Sequence, residues 1–524
     1  MYDYVIVGAG SAGCVLAARL SEDPEVRVCL VEAGGEDTDM EIHIPAGFGA
    51  LFKSRRDWDY STEPEAALGG RRMYLPRGKM LGGCSSMNAM IYIRGNRVDF
   101  DEWAAAGAAG WGYEDVLPYF LQSEDNERGE SMHHGAGGEL SVMESRSMHP
   151  LATAFVEAAK QAGHEENPDF NGARQEGVGR YQVTQRDGMR ESAAAAFLRP
   201  AEDRPNLTIV TDALVSDVII ENGRATGVRV DHPDHDQLLA EREVILSAGA
   251  YGSAQILMLS GIGPAAQLEA LGLDVVADLP VGQNLQDHCM VLLNYVTEGV
   301  ESLLTAMTDE NVELLGAEGT GPLTSNIGEA GGFIRTRAGL DGPDCQFHCA
   351  PVAFFEEGLG LTDKHCVAFG PGVVKPTSRG ELTLRGPSPY VKPRIVHNFL
   401  GSPEDRATIV AGLRAALQIA EQPALRAVIT GELVVPAADA SDEELLEFAK
   451  DNLQTIYHPT STCAIGAVVD PELKLLGIEG LRVADASIMP TIVRGNTNAA
   501  CIMIGEKAAA MIKQDALREA PAVA

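Results

Sequence analysis

The chain has 524 residues, 45% of them hydrophobic and 22% charged, proportions of a globular protein with a large core and two or three structural units, which excludes a disordered chain. Its 75 acidic against 41 basic residues leave a net charge of -34, a field that repels nucleic acid and anionic lipid surfaces and excludes both as expected partners. Nine cysteines, an odd number without paired spacing and partly in apolar runs, point to reduced thiols and not to a disulfide framework.

The first segment, YDYVIVGAGSAGCVLAARLSE, reads as strand, glycine turn and helix, and VRVCLVEAGG as the next strand. Gly8, Gly10 and Gly13 carry the G-x-G-x-x-G spacing. The first permits a tight turn, the second lets backbone approach a pyrophosphate, and the third lets the helix pack on the strand. Glu32 closes the second strand nineteen residues after Gly13, where a carboxylate accepts hydrogen bonds from a ribose diol. Together these predict a bound dinucleotide. Two features favour FAD over NAD: the motif stands at the start of the chain, and the same pattern resumes far downstream. A strand opening at Tyr2 leaves no room for a cleavable leader, and no apolar run is long enough to span a bilayer, so a cytoplasmic protein is expected.

Further along, EVILSAGAYGSAQILMLSGIG, from Glu243, again gives strand, glycine turn and helix. Between about residues 292 and 455 the character changes. Strand-like segments GGFIRT and GELTLRG stand beside amphipathic helices PEDRATIVAGLRAALQIAEQ and SDEELLEFAKDNLQ. Within this region Cys345 and Cys349 flank His348 in DCQFHCAP, but alternation across CQFHCAPVAF reads as a strand and no second ligand cluster stands at zinc spacing, so no metal is expected. GLRVADASIMP then returns to the first pattern with a strand ending at Asp485. The expected fold is α/β: residues 1–291 form a Rossmann-like dinucleotide-binding part, 292–455 an inserted α+β substrate-binding domain, and 456–524 return to the first domain.

Several separated stretches resemble the glucose-methanol-choline oxidoreductases, a family of flavoenzymes. They are VIVGAGSAG, PRGKMLGGCSSMNAMIYIRGN (76–96), GAYGSAQILMLSGIG (249–263), VGQNLQDH (281–288), and the carboxy-terminal YHPTSTCAIG, GLRVADASIMP and RGNTNAACIMIGE. The resemblance implies FAD and oxidation of an alcohol. Such a reaction needs a base for the hydroxyl proton while the carbinol hydride moves to flavin N5, and a donor for the developing alkoxide. His458, at the family's HP position, is the implied base. Asn496, thirty-eight residues later, matches the second active-site position and would stabilise the alkoxide.

By the same resemblance, Ser11, Ala12 and Ala33 join the glycines and Glu32 around the dinucleotide. Gly82, Gly83, Asn88, Ala89 and Met90 run along the flavin. Val215 meets the adenine, and Asp485 with Ala486 lies near the ribityl chain or pyrophosphate. Asn496 and Thr497 open the final helix, whose amino terminus would stabilise negative charge on the reduced ring, although Thr497 and Asn498 also read as plain capping residues. Met87 stands where some members carry a histidine bonded covalently to the flavin, so a dissociable FAD is expected. Cys84 reads as a small packing residue, and Ala254 replaces the family's usual proline. Choline-handling relatives place a glutamate two residues after the LQDH histidine. Met290 stands there instead, which favours an uncharged primary alcohol, aliphatic or aromatic, with choline as the minority reading. Ile456 and Tyr457, with Tyr60, Met90 and Phe333, are candidate pocket walls. The expected electron acceptor is O2 or a quinone-like carrier. Lyase and photodecarboxylase chemistry on the same scaffold are the alternatives.

Overall fold

The amino-terminal repeat of apolar residues builds a parallel sheet. YVIV and VCLV lack hydrophobic alternation because parallel strands are covered on both faces, and the computed structural model, which describes residues 1–519, buries Tyr4 to Val7 and Val28 to Val31 throughout. The parallel order is Leu207–Val210, Val28–Val31, Tyr2–Val7, the second half of His235–Leu246, and Leu481–Val483. The first half of His235–Leu246 turns antiparallel and forms a meander with Arg224–His232 and Leu214–Glu221. Helix Ser11–Leu20 packs against the long final helix Asn498–Glu519. Gly505 permits that approach, since a Cβ there would lie 2.8 Å from the Ala12 carbonyl oxygen.

A second, antiparallel sheet runs Ile429–Val434, Leu293–Thr297, Cys366–Val373, Cys345–Ala350, Ala330–Ile334, Gly177–Arg180. Strand Cys345–Ala350 shows why the alternation in CQFHCA matters. Cys345, Phe347 and Cys349 join the core beneath helices Pro150–Gln161 and Pro403–Ala420, which leaves Gln346 and His348 for the opposite face. All nine cysteines are free thiols, and no group of three or more potential metal ligands occurs among the described residues. No helix among them is long and apolar enough to cross a membrane.

The chain crosses between the two layers repeatedly. Gly177–Arg180, within 1–291, pairs with Ala330–Ile334 of the second sheet, while Leu382, Leu384 and Ile395, within 292–455, pack in the core of the first. One short pairing matters most for function. Cys289–Met290 pairs with Gln454–Thr455, and Ile456 N donates to His288 O at 3.0 Å. This sets the end of the LQDH motif directly beside YHP.

Below the segment that follows the glycine-rich loop, buried Arg94 pairs with buried Glu124, and His134 bridges Glu124 (Nδ1 to Oε1, 3.3 Å) and Asp169 (Nε2 to Oδ2, 2.9 Å). Burial works against a charged ring here, but the two carboxylates overcome it and push His134 up to about 9. A raised histidine stabilises the fold fully below its unfolded value of about 6.5 and loses that contribution as pH rises through about 9. The difference in Tm between the native chain and His134→Gln is therefore expected to shrink from pH 6 to pH 10; a pH-independent difference contradicts this assignment.

Candidate active site

One continuous cavity runs between the layers. Every expected cofactor and catalytic residue lines it except Gly13 and Gly82, which shape its wall from behind. Gly8 takes φ +100°, a conformation that favours glycine. A Cβ on Gly13 would sit 1.9 Å from the Gly8 carbonyl oxygen, so the helix rests on the turn only because that Cβ is missing. Gly10 differs: its Cβ would have a single neighbour, the Ser247 carbonyl oxygen at 3.9 Å, leaving that face open to the cavity with Ser11 and Ala12. Gly83 rests against the Gly10 Cα, where a Cβ would come within 2.8 Å, so the glycine-rich loop lies on the amino-terminal turn. Gly82 points elsewhere, towards Ser86 Oγ.

Glu32 accepts from Ala9 N (2.9 Å) and Gly34 N (2.8 Å), one amide to each oxygen. Each oxygen keeps acceptor capacity for a ribose hydroxyl. Burial pushes this carboxyl up to about 7, against the Gly34 and Ala9 hydrogen bonds. Asp485 is more fully committed to the protein: Oδ2 accepts from Gly249 N (2.9 Å) and Ser253 Oγ (2.5 Å), Oδ1 from Ser487 N (2.8 Å). It ties the strand end to the second glycine turn, beside Ala486. Asn88 is held through its side-chain oxygen by Met90 N (2.9 Å) and Arg190 (3.1 Å), with Ala89 next to it on the wall. The final helix starts at Asn498, and the Thr497 carbonyl accepts from Cys501 N at 3.0 Å, so Thr497 caps the helix while Asn496 stands one residue before it. Asn498 Oδ1 accepts from Ser11 Oγ at 2.7 Å, which joins the amino termini of the two helices.

At the far end stand His458 and Asn496, with His458 Nε2 and Asn496 Nδ2 3.4 Å apart. His458 Nδ1 lies 3.0 Å from His288 Nδ1. Burial, then the neighbouring His288, His348 and Arg77, hold the His458 imidazole well below the usual histidine range, so the ring rests neutral. The turn that presents it is strained and clamped. Tyr457 takes φ +66°, its carbonyl accepts from Arg77 Nη2 (2.6 Å), and His458 N donates to Asp287 Oδ1 (2.7 Å). Such a non-glycine conformation costs of order 1–3 kcal/mol and persists only where its surroundings impose it.

Asp287 also accepts from His288 N (2.9 Å) and Thr455 Oγ1 (2.6 Å). Asp287→Ala would leave these three buried donors unpaired, at about 1–3 kcal/mol for each group that water fails to reach. The expected result is a clear fall in Tm together with a fall in kcat; an unchanged Tm contradicts the clamp.

Ile456, Tyr457, Tyr60 and Met90 line the cavity, as does Met87. Phe333 does not. It is fully buried in a cluster with Ile93, Phe170 and Tyr181. Asp287, His288, Gln346 and Arg77 carry parts of the site that sequence reasoning did not assign. The motif LQDH and the alternation of CQFHCA were the available signals.

Family models of the GMC oxidoreductases match residues 2–290 and 376–505. The chain belongs to the GMC oxidoreductase family. Among this family's members, it is 43% identical to the Alcohol dehydrogenase (acceptor) of Pseudomonas putida over 98% of this chain and 96% of that one. It is 42% identical to the Oxygen-dependent choline dehydrogenase of Sinorhizobium medicae, over 97% and 94%. Of solved structures, pyridoxine 4-oxidase from Mesorbium loti superposes with a TM-score of 0.89 at 33% identity, covering 98% of this chain and 99% of that one. The GMC fold and an FAD-dependent oxidoreductase acting on CH–OH donors follow. The residues present fit FAD: the glycine turn, Glu32 and Val215 line one part of the cavity, the glycine-rich loop another, and His458 with Asn496 a third.

Proposed function

We propose that this enzyme oxidises an uncharged primary alcohol, aliphatic or aromatic, to the aldehyde, with His458 as general base. The observation that carries this reading is the pairing of a neutral His458 Nε2 with the Asn496 amide at an apolar cavity end. The walls nearby are Phe52, Met290, Leu292, Phe354, Ile456 and Tyr457. Among the described residues, the only carboxylates on the cavity wall are Glu32 and Asp485, both tied to the glycine turns of the nucleotide end. A quaternary ammonium would therefore meet aromatic faces but no counter-charge.

In this reading Asn496 Nδ2 and His458 Nε2 converge on the substrate hydroxyl. His458 takes the hydroxyl proton and the asparagine amide donates to the developing alkoxide, each worth on the order of 10²-fold or more. Bound FAD supplies the acceptor for the carbinol hydride. The apolar walls exclude water around the reacting carbon, which strengthens both interactions. Residues 1–291 and 456–524 hold the dinucleotide and 292–455 the substrate side, with FAD dissociable because Met87 offers no nucleophilic ring nitrogen. O2 or a quinone-like carrier reoxidises the flavin, and the enzyme works in the cytoplasm.

The test compares kcat/KM for straight-chain and benzylic alcohols with that for choline, and precipitates a separate sample of the holoenzyme with acid to see whether FAD is released into the supernatant. Uncharged alcohols are expected to win by at least tenfold. A preference for choline overturns the substrate class, and flavin retained in the precipitate overturns the dissociable cofactor.

A further inference from the structure

We infer that His288 is a positioning residue for His458: its Nδ1 accepts the hydrogen of His458 Nδ1–H and so keeps His458 Nε2 unprotonated and turned to the substrate. This rests on the reading of His458 as the base.

The direction of each hydrogen bond follows from the far end of the network. Tyr181 Oη donates to Phe347 O (2.6 Å) and accepts from Gly332 N (3.0 Å). It also accepts from Gln346 Nε2 at 3.3 Å, and Gln346 Nε2 donates in turn to Asn496 Oδ1 at 3.2 Å. Asn496 is thereby turned with its NH2 group towards His458. An amide NH2 only donates, so Nε2 of His458 has to be the acceptor. A neutral imidazole then carries its hydrogen on Nδ1, which lies 3.0 Å from His288 Nδ1. One of those two nitrogens must be bare for the contact to bind, and it is that of His288. Its own hydrogen sits on Nε2, which faces the carbonyls of Val374 and Val493 but falls short of a full hydrogen bond.

The charges around the pair give this arrangement a chemical sense. His348 from strand Cys345–Ala350, Arg77 and Lys375 bear on the two rings, all positive or neutral. Asp287 lies under both backbone amides and Thr455, with its carboxyl committed there. No carboxylate is bonded to either ring nitrogen. Where a carboxylate would hold a proton on the base, a neutral histidine orients the ring without trapping the charge. When the substrate O–H breaks and His458 Nε2–H forms, Nδ1–H stays in place, and its bond to His288 becomes charge-assisted and stronger. His288 itself is fully buried and touches neither cavity nor substrate.

The experiment compares the native enzyme with His288→Leu, His288→Asn and His458→Ala. It reads 15N shifts of labelled histidine with and without FAD, and the rate and pH dependence of anaerobic flavin reduction by a primary alcohol. In the native protein His458 is expected to be protonated on Nδ1. His288→Leu should keep FAD and the apparent alcohol Kd, lose roughly 10²-fold in reduction rate, and lower the kinetic pKa, since the imidazolium loses its acceptor. Asparagine, whose oxygen can replace the Nδ1 acceptor, should restore most of the rate. A native His458 protonated on Nε2 overturns the proposal even if the leucine variant fails to fold. So does a leucine variant with native rate and tautomer while His458→Ala is inactive. Native reduction by His458→Ala instead overturns the base reading beneath it.

Discussion

His458→Ala is expected to lower kcat/KM for the alcohol by about 10² to 10⁴-fold while leaving FAD bound. The size of the loss follows from the lack of a substitute. Tyr60, Tyr251 and Tyr457 line the same cavity, but burial raises each phenol well above its ordinary range and removes it as a base at neutral pH. His348 is neutral, held down to about 4 by burial, and neither ring nitrogen has a hydrogen-bond partner to orient it. Cofactor binding should survive, because His458 stands at the reacting end, away from the glycine turns and Glu32 that hold the nucleotide. The sign of the pH dependence follows too. A histidine depressed below 6.5 is already neutral at pH 7, so the native rate should stay flat as pH falls from 8 to 6. A steep loss across that interval would mean that His458 titrates in its ordinary range, or that a buried carboxyl pushed up to about 7, Asp287 or Glu32, titrates there instead.

Gly13→Val should be the most damaging single change in the nucleotide half, and Gly10→Ala separates its two causes. At Gly13 the first added carbon already meets the Gly8 carbonyl oxygen at 1.9 Å and the Gly8 carbonyl carbon at 3.1 Å, backbone atoms that no side-chain rotation can move. The helix must lift off the strand, which costs at least about 1–3 kcal/mol and more where relaxation is blocked. Loss of soluble, FAD-loaded protein is the expected outcome. At Gly10 the added methyl faces open cavity and meets the protein only at 3.9 Å. That variant is expected to fold with nearly native Tm in the absence of FAD and to bind FAD more weakly. Similar stability of the two apo variants would contradict the separate roles given to the two glycines.

The parts of the site legible in the sequence are those where chemistry is local. Gly8 to Gly13 and Glu32 lie within one strand-turn-helix-strand unit, and their spacing alone dictates a turn, an approach and a packing contact. His458 and Asn496 stood out because each is embedded in a short motif. What the sequence hid depends on pairings over long separations. The meeting of His288 with His458 needs Cys289–Met290 to pair with Gln454–Thr455, and no local pattern announces a two-residue strand. Gly177–Arg180 becomes a strand only where Ala330–Ile334, far along the chain, supplies its partner. Phe333, expected at the pocket, packs instead in the core with Ile93, Phe170 and Tyr181, on a face that only the same pairing defines, since side chains alternate across a strand. The role of Gln346 follows from alternation with Cys345 and Phe347, but only once the sheet shows which face meets the cavity.

The account stands or falls on one measurement: anaerobic mixing of the oxidised enzyme with a panel of uncharged primary alcohols, each also supplied with deuterium on the carbinol carbon, while the flavin absorbance is followed. Bleaching by at least one aliphatic or benzylic alcohol, slower with the deuterated substrate and slowed by about 10² to 10⁴-fold in His458→Ala, is the predicted result. An unchanged flavin spectrum across the whole panel would contradict it.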